Sequence, residues 1–114
     1  MSAIKKINST KESVIRYLVN DSRLRDSDEA LCCRFWFDEL ENKNINARGI
    51  SAYTFFEMYA KGKLTSSMSI ERQRRKIQEN NIELRGKKWA SRQKEEVEVR
   101  QEINNYKPES FPNL

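Results

Sequence analysis

The sequence predicts an all-α fold: a compact domain of four to five helices with a helix-turn-helix core and a long charged C-terminal helix. Three observations carry this prediction. Apolar residues recur at helical spacing, as in Leu31, Phe35, Trp36 and Leu40, and no run sustains the alternation of a strand. Ser and Asp residues stand ahead of such stretches as caps. The three glycines, Gly49, Gly62 and Gly86, sit singly where the pattern changes, as residues beyond helix ends do.

In chain order, the first helix is expected to start near Ser9, with Glu12 completing a capping box, to present Val14, Ile15 and Leu18, and to end around Asn20. A second helix is expected from Asp26, with Glu29 three residues on, and its aromatic face makes it the centre of the core. The third is capped by Ser51 and runs to about Lys61, with Ala52, Phe55, Phe56 and Tyr59 on one side and Gly62 just past its end. Phe35, Trp36, Phe55 and Phe56 are expected to be largely buried. Ser66 or Ser67 opens a fourth helix in which Ile70 and Ile77, seven apart, face inward. In the link NNIELRG, Ile82 and Leu84 can pack down, and a short hairpin over residues 80–88 would make the fold a winged one. A fifth helix from about Lys87 to Asn104 carries only Trp89, Val97, Val99 and Ile103 as apolar residues.

A chain of 114 residues suits one domain, which at this size hides roughly 65% of its unfolded surface. Residues 1–104 are read as that domain, with 51–80 the helix-turn-helix-like segment and 81–92 a basic trailing segment. Residues 105–114, with Pro108 and Pro112, read as an extended tail.

Charge is distributed unevenly. Residues 1–60 carry nine basic and nine acidic side chains, residues 61–92 carry ten and three, and residues 93–114 carry three and five. A segment of net +7 beside neutral and acidic ones points to a polyanionic partner. Within it, Arg72, Arg75 and Lys76 project from the side of the fourth helix opposite Ile70 and Ile77, with Gln73 and Gln78 at the margins. Arg and Gln on an outward face can reach phosphates and base edges. Arg85, Lys87, Lys88 and Arg92 follow closely and can hold phosphates beside that helix. The competing reading is a solvated face, with Glu71 and Arg75, and Arg75 and Glu79, pairing at i,i+4. Arg74 falls on the inward side, near Ile70 and Ile77, and is read as a structural arginine paired with an acid of another helix.

The run SIERQRRKIQENNIELRG, residues 69–86, resembles a segment of small proteins of unassigned function encoded by bacteriophages and prophages, and the preceding FFEMYAKGKLTS resembles their lead-in. The chain departs from that pattern at Asn81, where a proline is expected. The resemblance implies a phage or mobile-element origin and a helix-turn-helix-like build, and it implies no activity.

Other classes are disfavoured. Without histidine there is no ordinary Ser-His-Asp or Cys-His arrangement, phosphate-cradling glycine loops are absent, and no enzyme or cofactor is expected. Cys32 and Cys33 are adjacent in a helix, where a disulfide is strained, and zinc lacks its remaining ligands, so core packing of at least one is expected. No apolar run approaches the roughly 18 residues that cross a bilayer, and MSAIKKINSTKES lacks the apolar centre of a secretory signal. A cytoplasmic, non-membrane protein is therefore expected. The sequence-based function is duplex-DNA binding, of a regulatory kind, through residues 66–92. The alternative is a phage-encoded interaction module or inhibitor that docks on a host or phage protein. The length of the fifth helix allows a homodimer, and its sparse apolar stripe also allows a monomer.

Overall fold

The computed structural model describes residues 3–104. Five α-helices follow one another, α1 (Ala3–Asn20), α2 (Asp28–Asn42), α3 (Ala52–Ala60), α4 (Ser67–Asn80) and α5 (Trp89–Asn104), with 3-10 turns at Ser22–Arg25 and Ile82–Leu84. The fold is all-helical among the described residues, in agreement with the predicted class.

The first helix begins two turns earlier than its expected cap. Ser9 lies inside α1 and is exposed, because the preceding Ala, Ile and Lys residues offer nothing that stops a helix. Thr10, the next residue, is buried and returns its hydroxyl proton to the Lys6 carbonyl at 2.9 Å. Val14, Tyr17 and Leu18 form the buried stripe. Tyr17 also donates to Asp38 at 2.7 Å, and burial, reinforced by that bond, pushes its phenol up to about 12.

The second helix starts one residue beyond Ser27, whose hydroxyl accepts the Ala30 N–H, and not at Asp26 as expected. Leu31, Cys32, Phe35 and Leu40 are buried, and Trp36 is half-buried with its indole N–H on the Thr65 carbonyl at 2.6 Å. Both cysteines are free, Cys32 buried and Cys33 exposed, and burial pushes the Cys32 thiol up to about 12.

The core lies between α1, α2 and α4, where Val14, Leu18, Leu31, Ile70 and Ile77 meet, closed below by Leu24 and Leu84. The third helix takes the Ser51 cap and the left-handed Gly62 (φ 73°) as expected, but it buries no residue fully. It leans on Trp36 through Phe55 and Tyr59, each ring centroid 5.4 Å away. Phe56 is 67% exposed, contrary to expectation, and Phe55 is only half-buried. A nine-residue helix packed against one neighbour has a single covered side, and Phe55 and Phe56 point about 100° apart around it.

The link after α4 is a 3-10 turn and no strand occurs among the described residues, so residues 80–88 form no wing. Leu84 packs down and Ile82, at 75% exposure, does not. The fifth helix starts at Trp89, slightly later than expected, and lies loosely beside α4 across an open groove bordered by Arg75, Arg92, Glu95 and Arg100. The chain is accordingly extended, 56 × 39 × 28 Å, where a compact one was expected. The expected extended tail at residues 105–114, and the Val97 side chain, lie outside the described residues.

Two outcomes test this core. Truncating fully buried Leu31 to Ala is expected to cost about 2 to 5 kcal/mol in urea denaturation, while Phe56→Ala stays within about 0.5 kcal/mol. Equal losses would contradict the placement of Phe56 outside the core. Titration of the native protein with a chromogenic disulfide at pH 8 is expected to modify Cys33 quickly and Cys32 only on unfolding. Two thiols reacting at equal rates would contradict the burial of Cys32.

Candidate nucleic-acid interface

The rotation of α4 about its axis decides which of its polar residues meet solvent. Arg74 lies inward, as its spacing from Ile70 and Ile77 predicts, and grips Asp28 of α2 with two hydrogen bonds of 3.0 Å from Nε and Nη2. Its Nη1 donates to Gln78 Oε1 at 3.3 Å, and Gln78 Nε2 donates to the carbonyls of Arg25 at 3.1 Å and Leu84 at 3.2 Å. The Gln78 side chain is completely buried, not at the margin of an outer face. Gln73 is buried too, at 7% exposure. The signal was present in the spacing: Ile70, Gln73 and Ile77 stand at i, i+3 and i+7, and Gln78 follows Arg74 by four.

On the opposite side Arg72, Arg75 and Lys76 are exposed, as expected. The i,i+4 pairs that would neutralise them do not form. Among the described residues the ion pairs are Arg23–Asp21, Arg34–Asp38, Lys61–Glu57 and Arg74–Asp28, and none involves Glu71 or Glu79. Arg72 and Lys76 turn toward α1, where they border a groove of about 400 Å³ together with Lys6 and Gln73. Arg75 lies on the other side, bordering a groove of mixed charge with Asp28 and with Arg92, Glu95 and Arg100 of α5. Sequence reasoning does not find Lys6, because a helix taken to begin at Ser9 leaves Lys6 outside any element.

The trailing basic residues divide by task. Arg85 folds back on the end of α4, donating to the carbonyls of Gln78 and Glu79, the latter at 2.9 Å, and its guanidinium lies 3.7 Å from the Trp89 ring centroid. Arg92 donates to the Arg25 carbonyl at 3.1 Å. Both are thus committed in part to holding the helices together. Lys87 and Lys88 keep exposed side chains, and it is their backbone N–H groups that are used, each donating to Asp26, at 3.2 and 2.8 Å.

Asp26 therefore holds the two residues that lead into α5 and is not the start of α2. The contact requires Gly86, since a Cβ there would collide with the Asp26 carboxylate. Partial burial raises the Asp26 pKa, but the Lys88 and Lys87 N–H groups, helped by the Arg92 and Lys88 charges, outweigh it and hold the carboxyl below the usual 3.8. A lowered folded-state pKa stabilises above the unfolded value, and the contribution disappears as pH falls from there through the folded value. Asp26→Ala is expected to cost about 1 kcal/mol at pH 7, and the gap to wild type should narrow between pH 7 and pH 3 in paired urea titrations. An unchanged gap would mean that the carboxylate charge is not what holds the entry to α5.

Among the described residues no group of three or more Cys, Asp or Glu side chains is placed to hold a metal, and no helix is long and apolar enough to cross a membrane. No protein-family model, curated protein or solved structure matches this chain.

Proposed function

We propose that the protein binds duplex DNA through the outer face of α4, as a regulatory, phage-type binding protein of the cytoplasm and not as an enzyme. One observation supports this above others: Arg72, Arg75 and Lys76 stand exposed and free of ion pairs on a helix whose opposite side is locked by Arg74 and Gln78. Exposed cations with no internal partner keep their full attraction for phosphate, and a helix that cannot rotate offers them in one arrangement. Arg72 and Arg75 suit base edges or phosphates, Lys76 suits phosphate, and Lys87 and Lys88 extend the positive surface to the start of α5. Arg85 and Arg92 add charge from positions they already hold.

The helix-turn-helix reading is kept in a modified form. The chain order of α3, a link of six residues through Gly62 and basic α4 is that of the motif, with a link longer than the roughly three to four residues usual there. The helix that would enter the groove rests mainly on α1 and α2, however, with α3 to one side.

A second reading, docking on a host or phage protein, draws on a different surface. The third helix exposes Tyr53 at 75% as well as Phe56, next to an apolar depression lined by Phe37, Ile50 and Phe55. The two readings differ in salt response, because counterion release gives a log-log slope of roughly −0.9 per phosphate neutralised, and apolar docking gives almost none.

The test is a fluorescence-anisotropy titration of mixed-sequence duplex with wild type and with the Arg72→Glu, Arg75→Glu, Lys76→Glu triple variant at two salt concentrations. Wild type is expected to bind with a steep salt slope, and the variant to lose binding while keeping its circular dichroism and thermal midpoint. Equal affinities, or no wild-type binding at low salt, would reject DNA as the partner and bring the protein-docking reading forward.

A further inference from the structure

We infer that the groove between α1 and α4 is a phosphate site, in which the Gln73 amide acts with Lys6, Arg72 and Lys76 to seat one phosphodiester group of the DNA backbone. The inference rests on the DNA reading above and adds to it a specific pocket and two residues, Lys6 and Gln73.

Gln73 carries the case. Among the described residues five polar or charged side chains are buried, and four of them are paired: Thr10 with the Lys6 carbonyl, Thr65 with Glu39, Arg74 with Asp28, and Gln78 with the Arg25 and Leu84 carbonyls. The fifth, Gln73, makes no side-chain hydrogen bond at 7% exposure, and it lines the groove. Among the described residues no buried side-chain nitrogen or oxygen is sealed off without a partner, so the small accessible part of Gln73 includes its amide. With no partner in the protein, this amide is satisfied from the groove, by water or by a ligand that replaces it.

The surroundings select an oxyanion. Lys6, Arg72 and Lys76 border the groove, and no acidic side chain does. The first turn of α4, from Ser66 to Ser69, forms one end and brings the positive pole of the helix dipole. Leu64 and Ile7 supply apolar wall, which limits competition from water. A phosphodiester offers two anionic oxygens in a tetrahedral array to a two-donor amide and three cations. The volume of about 400 Å³ is ample for one such group and open enough for the chain on either side of it.

The test follows the Gln73 side-chain amide in 1H–15N spectra of the full chain, titrated separately with inorganic phosphate and with mixed-sequence duplex. Gln73→Met, which keeps the length and removes the amide, and Lys6→Gln, which alters an exposed position, are titrated with duplex alongside. Expected are shifts of the Gln73 amide with both probes, an affinity for duplex about tenfold lower in Gln73→Met, and a salt slope smaller by about one in Lys6→Gln. Duplex binding that leaves the Gln73 amide unmoved, with Lys6→Gln indistinguishable from wild type, would overturn the groove while the DNA reading stood. Shifts with inorganic phosphate but no duplex binding would overturn the backbone assignment together with the DNA reading, and leave a site for a small phosphate. No response to either probe would overturn both. Should Gln73→Met fail to fold, the wild-type amide shifts and Lys6→Gln still decide.

Discussion

The buried amide of Gln78 is the contact on which the arrangement of this molecule depends. It accepts from Arg74 and donates to the carbonyls of Arg25 and Leu84, so one side chain joins α4 to the turn before α2 and to the turn after α4 itself. Arg74 carries the same network on to Asp28 at the start of α2. A network of this kind is stabilising only when complete, because each orphaned member would forfeit about 1 to 3 kcal/mol of solvation. Its completeness sets the angle of α4 more sharply than Ile70 and Ile77 could, since apolar packing tolerates small rotations that hydrogen bonds do not.

A fixed rotation gives the basic segment its division of labour. Of the ten cations between residues 61 and 92, Arg74, Arg85, Arg92 and Lys61 spend their donors on the protein itself. Lys63, Arg72, Arg75, Lys76, Lys87 and Lys88 do not. The difference is one of geometry and not of residue type. A guanidinium within reach of a helix C-terminus or an exposed carbonyl closes on it, as Arg85 does on the last turn of α4 and Arg92 on Arg25. A helix face directed to solvent has nothing comparable to close on.

The elements legible in the sequence are those specified by local chemistry. Ser51, Gly62 and Ser66 mark their helix ends as predicted, and Ile70, Arg74 and Ile77 fall on the inward side of α4. What the sequence conceals depends on partners distant in the chain. Asp26 looks like a cap for the helix that follows it, yet its carboxylate serves N–H groups some sixty residues away, and only Gly86 permits the approach. Ser9 and Glu12 satisfy a capping pattern inside a helix that is already under way. Gln73 and Gln78 read as surface residues by type, although their spacing places them inward. The aromatic run of α3 reads as buried, yet α1, α2 and α4 form the core without it and Phe56 stays exposed.

The place of α3 outside the core bears on function. A domain whose core were centred on α3 would have its aromatic residues hidden and its basic helix supported from one side. In this arrangement α4 is supported by α1 and α2, which brings Lys6 beside Arg72 and Lys76 and leaves α3 with its own exposed aromatic surface. The chain therefore carries two unlike faces, one cationic and rigidly held, one aromatic and lightly held. Electrostatic attraction acts over about 10 Å at moderate salt, whereas apolar contact acts only when surfaces touch. An approaching polyanion would therefore sense α4 first, and the groove beside it would determine where along the backbone it came to rest.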